Sequence, residues 1–204
     1  MHSTQPGRHP CNTSAHAASS KRRSCSSSAN TAAIDFPAMH HETTNLRRKD
    51  RALPETDARL ILHEEEYGVL SLQAPDGGGY GVPMNYAWNG ADSLYLHCAG
   101  EGFKLSCLQA QPKASFVIIR HHSILPEKFS TAYESVILQG ECSIVTDETE
   151  KRAALQLMIQ KLTPGETARG AAYIDRALAA TTVLRFSINS FCGKAHRNHT
   201  GSPA

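Results

Sequence analysis

The sequence predicts a small, mainly β protein in which six mostly antiparallel strands form a barrel with helices at its periphery. Three observations carry this. Asn89-Gly90 separates two alternating apolar runs, a strong hairpin signal because both residues tolerate the positive φ of a tight turn. Asp76-Gly77-Gly78-Gly79 marks a second turn. Gly140 interrupts a long β run, where a bulge or bend would turn a barrel corner.

The elements follow in order. Pro54 and the acidic Glu55 and Asp57 suit a helix's first turn, so a short amphipathic helix should run to about Glu66 with Leu60 and Ile61 inward. Tyr67 to Leu72 alternates as the first strand, Tyr80 to Trp88 is the second, and Ser93 to Cys98 the third. Gly100-Glu101-Gly102 breaks the chain before a short helix to about Ala110, and Ala114 to Ile119 is the fourth strand. Ala132 to Val145 is the fifth. The spacing Asp147 to Glu150 resembles a capping box, and Leu155, Met158, Ile159 and Leu162 recur at helical intervals. A weaker helix over Tyr173 to Ala179 precedes the sixth strand, Thr182 to Ile188.

Charge divides the chain. Of 204 residues, 21 are Lys or Arg and 19 Asp or Glu, a net charge of +2. Residues 1–45 hold four of the bases and two of the acids, so the remainder is neutral. A neutral body lacks the clustered positive surface that phosphate backbones demand, so no nucleic-acid partner is expected. No apolar run is long enough to span a bilayer, so no membrane partner is expected either. The Ser-, Ala- and His-rich residues 1–45 bury too little apolar surface to offset ordering entropy and are expected to be a disordered tail. The first 34 residues have a transit-peptide composition without amphipathicity, and Met39 is the preferred start of translation. Residues 198–204 are expected to be a disordered C-terminus. The cysteines lack CxxC spacing and an apolar signal peptide, which disfavours zinc or disulfide frameworks and favours a cytoplasmic setting. His40-His41 and His121-His122 face apart on a strand, so no metal site is assigned.

Four segments can carry chemistry. His97 closes the third strand on the face opposite Leu96, and Gly102 and Lys104 follow where a helix begins; exposed N–H groups and an ammonium there suit a phosphate. Taken bare, the same residues describe a half-exposed histidine and a solvated lysine. Pro83, within Gly81-Val82-Pro83-Met84-Asn85-Tyr86, belongs to an edge, a bulge or a place where a ligand meets the backbone. Tyr133, Glu134 and Ser135 stand ahead of an apolar strand, where polar groups at a barrel mouth orient ligands.

Taken in order, these segments resemble the pyridoxamine 5'-phosphate oxidase-related, FMN-binding split-barrel family, of the 5-nitroimidazole-resistance type. The resemblance spans residues 46–197. It is carried by Leu46-Arg47-Arg48-Lys49-Asp50-Arg51, Tyr67-Gly68-Val69-Leu70, Val82-Pro83-Met84-Asn85-Tyr86, Leu94-Tyr95-Leu96-His97 with Gly102 and Lys104, Leu125-Pro126-Glu127-Lys128-Phe129, Tyr133-Glu134-Ser135-Val136-Ile137 and Gly193-Lys194. It implies a homodimer of six-stranded antiparallel split β-barrels with FMN at the interface. By the same resemblance the phosphate lies near Gly102 and Lys104, and the flavin ring along the backbone of Pro83, Met84, Asn85 and Tyr86. His97 then takes the position of the active-site histidine, Tyr133, Glu134 and Ser135 lie near the cofactor, and Lys194 is a second local cation. Phe103 stands where the family often has a basic residue.

The function so implied is an FMN-dependent oxidoreductase that passes electrons from NADH or NADPH to a small acceptor, a nitroimidazole or nitroaromatic being the candidate substrate. With no Gly-x-Gly-x-x-Gly fingerprint, the nicotinamide would bind transiently over the flavin. The alternative is a non-catalytic binder of flavin, haem or deazaflavin.

Overall fold

The computed structural model describes residues 39–197; the expectations for residues 1–38 and 198–204 lie outside the described residues. The strands are β1 (His40–His41), β2 (Tyr67–Gln73), β3 (Gly79–Asn85), β4 (Ala87–Trp88), β5 (Ser93–Ala99), β6 (Lys113–Leu125), β7 (Ser130–Ile144) and β8 (Thr181–His196). The helices are α1 (Glu55–Glu64), α2 (Phe103–Ala110), α3 (Glu148–Leu162) and α4 (Thr167–Ala177). The main sheet runs β3-β2-β6-β7-β8-β5-β4, every neighbour antiparallel. Its two outer strands, β3 and β4, are consecutive in sequence but paired to different neighbours. The wall therefore curls round without closing, and the split lies at Tyr86.

Alternation along the strands sends Leu70, Leu94, Leu96, Phe116, Ile118, Val136, Leu138, Leu184 and Phe186 into one buried core. Helix α1 adds Ile61 and Leu62 at the end where β2 begins, and α2 adds Leu105, Cys107 and Leu108. Phe103 meets Tyr80 of β3 edge-on at 5.1 Å, which fastens α2 to the opposite end of the barrel. A smaller core of Val145, Ala154 and Val183, with Tyr95 and Leu155 packed on it, lies outside the wall beneath α3.

Gly140 does what its place in the sequence suggested. The β7–β8 register shifts between Gln139 and Gly140, and a Cβ there would stand 1.9 Å from the Ser187 carbonyl oxygen. Only glycine permits that approach. Helix α3 opens on Asp147, whose Oδ1 accepts from the Glu150 N–H at 2.7 Å.

Several boundaries differ from expectation. The second strand divides into β3 and β4 because Tyr86 turns fully inward, its hydroxyl donating to the Leu62 carbonyl at 2.9 Å and its N–H to the Glu66 carbonyl. In α1 the inward pair is Ile61 and Leu62, while Leu60 is exposed. Helix α4 begins at Thr167, six residues earlier than predicted, and β6 and β8 run on well past Ile119 and Ile188. Residues 39–45, assigned to the tail, are seated: Met39 is buried and β1 pairs in parallel with Ser190 and Phe191 of β8.

Candidate functional site

The outer surface of the barrel wall has two unlike halves, and the candidate residues are shared between them. On one half, α3 and α4 cover β5 and the first part of β8. Tyr95 and Arg185 fix α3 there, the hydroxyl and Nη1 both donating to Glu150 Oε1 at 3.0 and 3.1 Å. His97 points to this side. It stands at the mouth of an apolar pocket of about 220 Å³ between β5, α3 and α4, whose walls include Leu155, Met158, Ile159, Leu162 and Ile174. The pocket is smaller than the ~300–1,000 Å³ usual for sites that engulf a drug-sized ligand, so it suits about one ring.

Crowding around its ring and the nearby Lys104 ammonium both lower the pKa of His97 from its ordinary value, desolvation being the larger cause. The shift favours the neutral imidazole, which can orient a ligand through its ring nitrogens. Lys104 lies in the first turn of α2, and Gly102 before it adopts φ 133, a conformation that side chains avoid.

The other half is the outward face of β3, β2, β6, β7 and the end of β8, and it is open to solvent. Its residues form rows across the sheet. One runs Pro83, Val69, Val117, Ile137, Cys192; the next joins Ile119, Ser135 and Lys194, with Tyr67 and Asn85 paired beside them. Tyr67, Ile119 and Ile137 are 62, 58 and 37% exposed, a concentration of bare apolar surface. Pro83 is on the edge strand, as its missing N–H requires. Met84 and Tyr86 point into the barrel, so of these two only the backbone, the part the resemblance assigns to the ring, faces outwards. Asn85 is exposed, its amide 3.3 Å from the Glu66 carbonyl.

Basic groups collect at the edge of this open face. Ala52 bridges to Lys194, which places Arg51 beside it, and the Arg51 Nε is buried without a hydrogen-bond partner. Arg48, near Tyr133, forks onto Asp50 at 2.6 and 2.8 Å and pulls that carboxyl down to about 2. Ser135 donates to the Lys194 carbonyl at 3.4 Å. Glu134 is engaged structurally, bound at 2.6 Å by Arg197, which also reaches Asp57 of α1. Sequence reasoning passed over Arg51 as a site residue; the signal was present in the run Arg47-Arg48-Lys49-Asp50-Arg51. Burial pushes the thiols of Cys98 and Cys192 up, and that of Cys142 to about 12, which weighs against reactive thiolates.

Along β8 the two groups stand apart, whereas across the split β3 approaches β5 and Tyr80 packs on Phe103, the neighbour of Lys104. His97 pairs with Val183 and Glu134 with Ala195, twelve residues apart on β8, or about 40 Å of strand at ~3.3 Å per residue. A sequence model of pyridoxamine 5'-phosphate oxidase matches residues 54–195, from the start of α1 nearly to the end of β8. The chain belongs to the pyridoxamine 5'-phosphate oxidase-like family. The open wall is the split barrel of that family. No curated protein matches the chain in sequence.

Solved structures share the fold. A candidate 5-nitroimidazole antibiotic resistance protein from Bacteroides thetaiotaomicron superposes with a TM-score of 0.61 and 24% identity, over 70% of this chain and 85% of that one. A flavocytochrome from Azotobacter vinelandii gives 0.65 and 21%, over 75% and 72%. An FAD- and haem-binding protein from Mycobacterium smegmatis gives 0.62 and 22%, over 74% of each. Among the described residues no helix is long and apolar enough to cross a membrane, and no three His, Cys, Asp or Glu cluster as metal ligands.

Proposed function

We propose that this chain is a flavin-binding oxidoreductase that works as a two-fold homodimer, with FMN held between the open faces of two barrels. One observation carries the reading: along β8 the register sets His97 far from Ser135 and Lys194, so one copy's Ser135, Arg51 and Lys194 would complete a site with another copy's His97, while Pro83 and Lys104 flank the split of one barrel. Two-fold pairing of a self-complementary face forms two such sites at once. Solved relatives named as a flavocytochrome and as an FAD- and haem-binding protein support a flavin as the cofactor, without distinguishing FMN from FAD.

The residues present fit a phosphorylated flavin. The apolar rows through Val69, Val117 and Ile137 offer a dry bed for a ring, and the orphaned Arg51 Nε, with Lys194 and Lys104, offers cations for a phosphate. When bound, the flavin would accept a hydride from NADH or NADPH and return electrons to a small acceptor such as a nitroimidazole. The chain's own part is positional. Apposed apolar rows exclude water, Lys104 and Arg51 balance negative charge, and His97, favoured in its neutral form, orients the acceptor through its ring nitrogens.

The test is spectroscopic. Purified protein incubated with FMN, and in parallel with FAD, should show protein-bound flavin bands, be bleached anaerobically by NADPH or NADH, and recover colour with a nitroimidazole. Protein that stays colourless after both incubations would overturn the reading. His97→Ala should keep flavin and lose most acceptor turnover; unchanged turnover would remove His97 from the site.

A further inference from the structure

The hairpin joining β6 to β7 is unlike the rest of the barrel. Where β6 passes Arg120 its register against β7 slips by one residue, and His121 takes φ 46. Beyond this bulge, residues Ser123–Leu125 pair only with Ser130–Ala132. At the tip, Phe129 follows a short 3-10 turn over Pro126–Lys128, adopts φ 45 and is 99% exposed. The Phe129 N–H closes the turn on the Pro126 carbonyl at 3.2 Å, while its ring, wholly in water, packs on nothing in its own chain.

Three features say what would cover it. First, the hairpin continues the open face: Ile124, 68% exposed, lies on the same side of the β6–β7 ladder as Tyr133, Ile119 and Ile137. Second, completing the composite site brings one copy's Tyr133 and Ser135 beside the other's His97. Phe129 is four residues beyond Tyr133, about 13 Å of extended chain, so the tip then passes over the second copy's α3 and α4. Third, the pocket there is apolar, sized for about one ring, and has His97 at its mouth.

We propose that the β6–β7 hairpin is an exchanged arm that docks on a second copy of this chain, seating Phe129 in the pocket between β5, α3 and α4 next to His97. The bulge at His121 aims the arm outwards, and the left-handed Phe129 presents its ring as a knob. By symmetry two arms and two pockets engage, and each arm roofs the site that its own barrel helps to build. This rests on the two-fold reading above, so the experiment must separate the two.

Phe129→Trp supplies the probe, since the single native tryptophan, Trp88, is already buried and can be subtracted using the unsubstituted protein. Sedimentation and emission are followed together across a dilution series. The expected result is a dimer whose added indole emits at the blue, buried position and shifts red as the dimer dissociates. Ala177→Phe, which fills the pocket from α4, should redden the added indole in the undiluted dimer, and Phe129→Ala should weaken dimerisation about tenfold, the loss of one aromatic anchor. A dimer in which the added indole emits as it would in water overturns the arm while leaving the two-fold reading standing. A monomer at all concentrations overturns both. Blue emission indifferent to Ala177→Phe overturns the pocket as the seat.

Discussion

The two halves of the barrel's outer wall follow the same alternation yet end differently. On β5 and the start of β8, the outward Tyr95 and Val183 meet the stripe of α3 that carries Ala154 and Leu155, and the result is a small buried core. On β2, β6 and β7, outward residues as apolar as Val69, Val117, Ile119 and Ile137 meet no described helix, and Ile119 is more than half exposed. Alternation decides which residues point outwards; whether that face is buried depends on what the chain, or another copy, lays over it. The covered half is also fixed by polar anchors on Glu150, whereas the open half carries its cations at the rim, as an interaction surface does.

This contrast can be broken at its boundary. Gly140 and the register slip beside it mark where β8 passes from pairing with β5 to pairing with β1. Gly140→Val drives side-chain atoms into the Ser187 carbonyl and should cost more than about 4 kcal/mol, measured as loss of soluble, cooperatively unfolding protein. Next, Met158→Ala beneath α3 removes a buried side chain from the covered half and should cost about 2–3 kcal/mol by urea unfolding. The matching change on the open half, Ile119→Asp, should alter monomer stability by under about 0.5 kcal/mol while abolishing dimerisation and flavin retention. Equal destabilisation by the two would show that the open face is covered within the monomer. Opposite in sign, Phe129→Gly relieves the left-handed strain and should stabilise the isolated fold by about 1 kcal/mol as it weakens the dimer.

How much was legible follows from the same physics. Turn chemistry at Asn89-Gly90 and Asp76 to Gly79 and the bulge at Gly140 concern short-range backbone geometry, and each was readable. The N-cap at Asp147 was too. The break at Tyr86 was not, because an aromatic inside an alternating run looks like a strand residue until its hydroxyl finds the Leu62 carbonyl from across the fold. The second half of β8 was hidden for a related reason: Asn189-Ser190 resembles a turn, and its pairing with His40-His41 is contributed from 150 residues away. The site residues were recognisable as chemical types, but their division between two faces depends on register, which no local pattern reveals. Lys161 is a further case. An exposed-looking helical lysine, it lies 3.9 Å over the Tyr86 ring, and desolvation there lowers its pKa to about 8. A lowered pKa means that the unfolded chain binds the extra proton between pH 8 and the ordinary lysine value of 10.5. Stability should therefore rise with pH across that window, and Lys161→Met should flatten the rise in urea midpoints.

The smallest effect tests the link between the covered half and the site. The His97 pKa is lowered first by desolvation and second by the Lys104 ammonium, so the two contributions can be separated. Lys104→Gln removes only the second, and the His97 pKa should move upwards, part of the way towards 6.5, in a proton NMR titration of the apoprotein. Because the native pKa is depressed, protonation below 6.5 favours the unfolded chain, so acid tolerance should improve slightly in the variant. Widening the pocket with Leu155→Ala removes part of the first contribution and should move the pKa in the same direction, by more. If Lys104→Gln leaves His97 unmoved, the ammonium and imidazole do not share one site, and the phosphate would then have to be held by Arg51 and Lys194 at the open face alone.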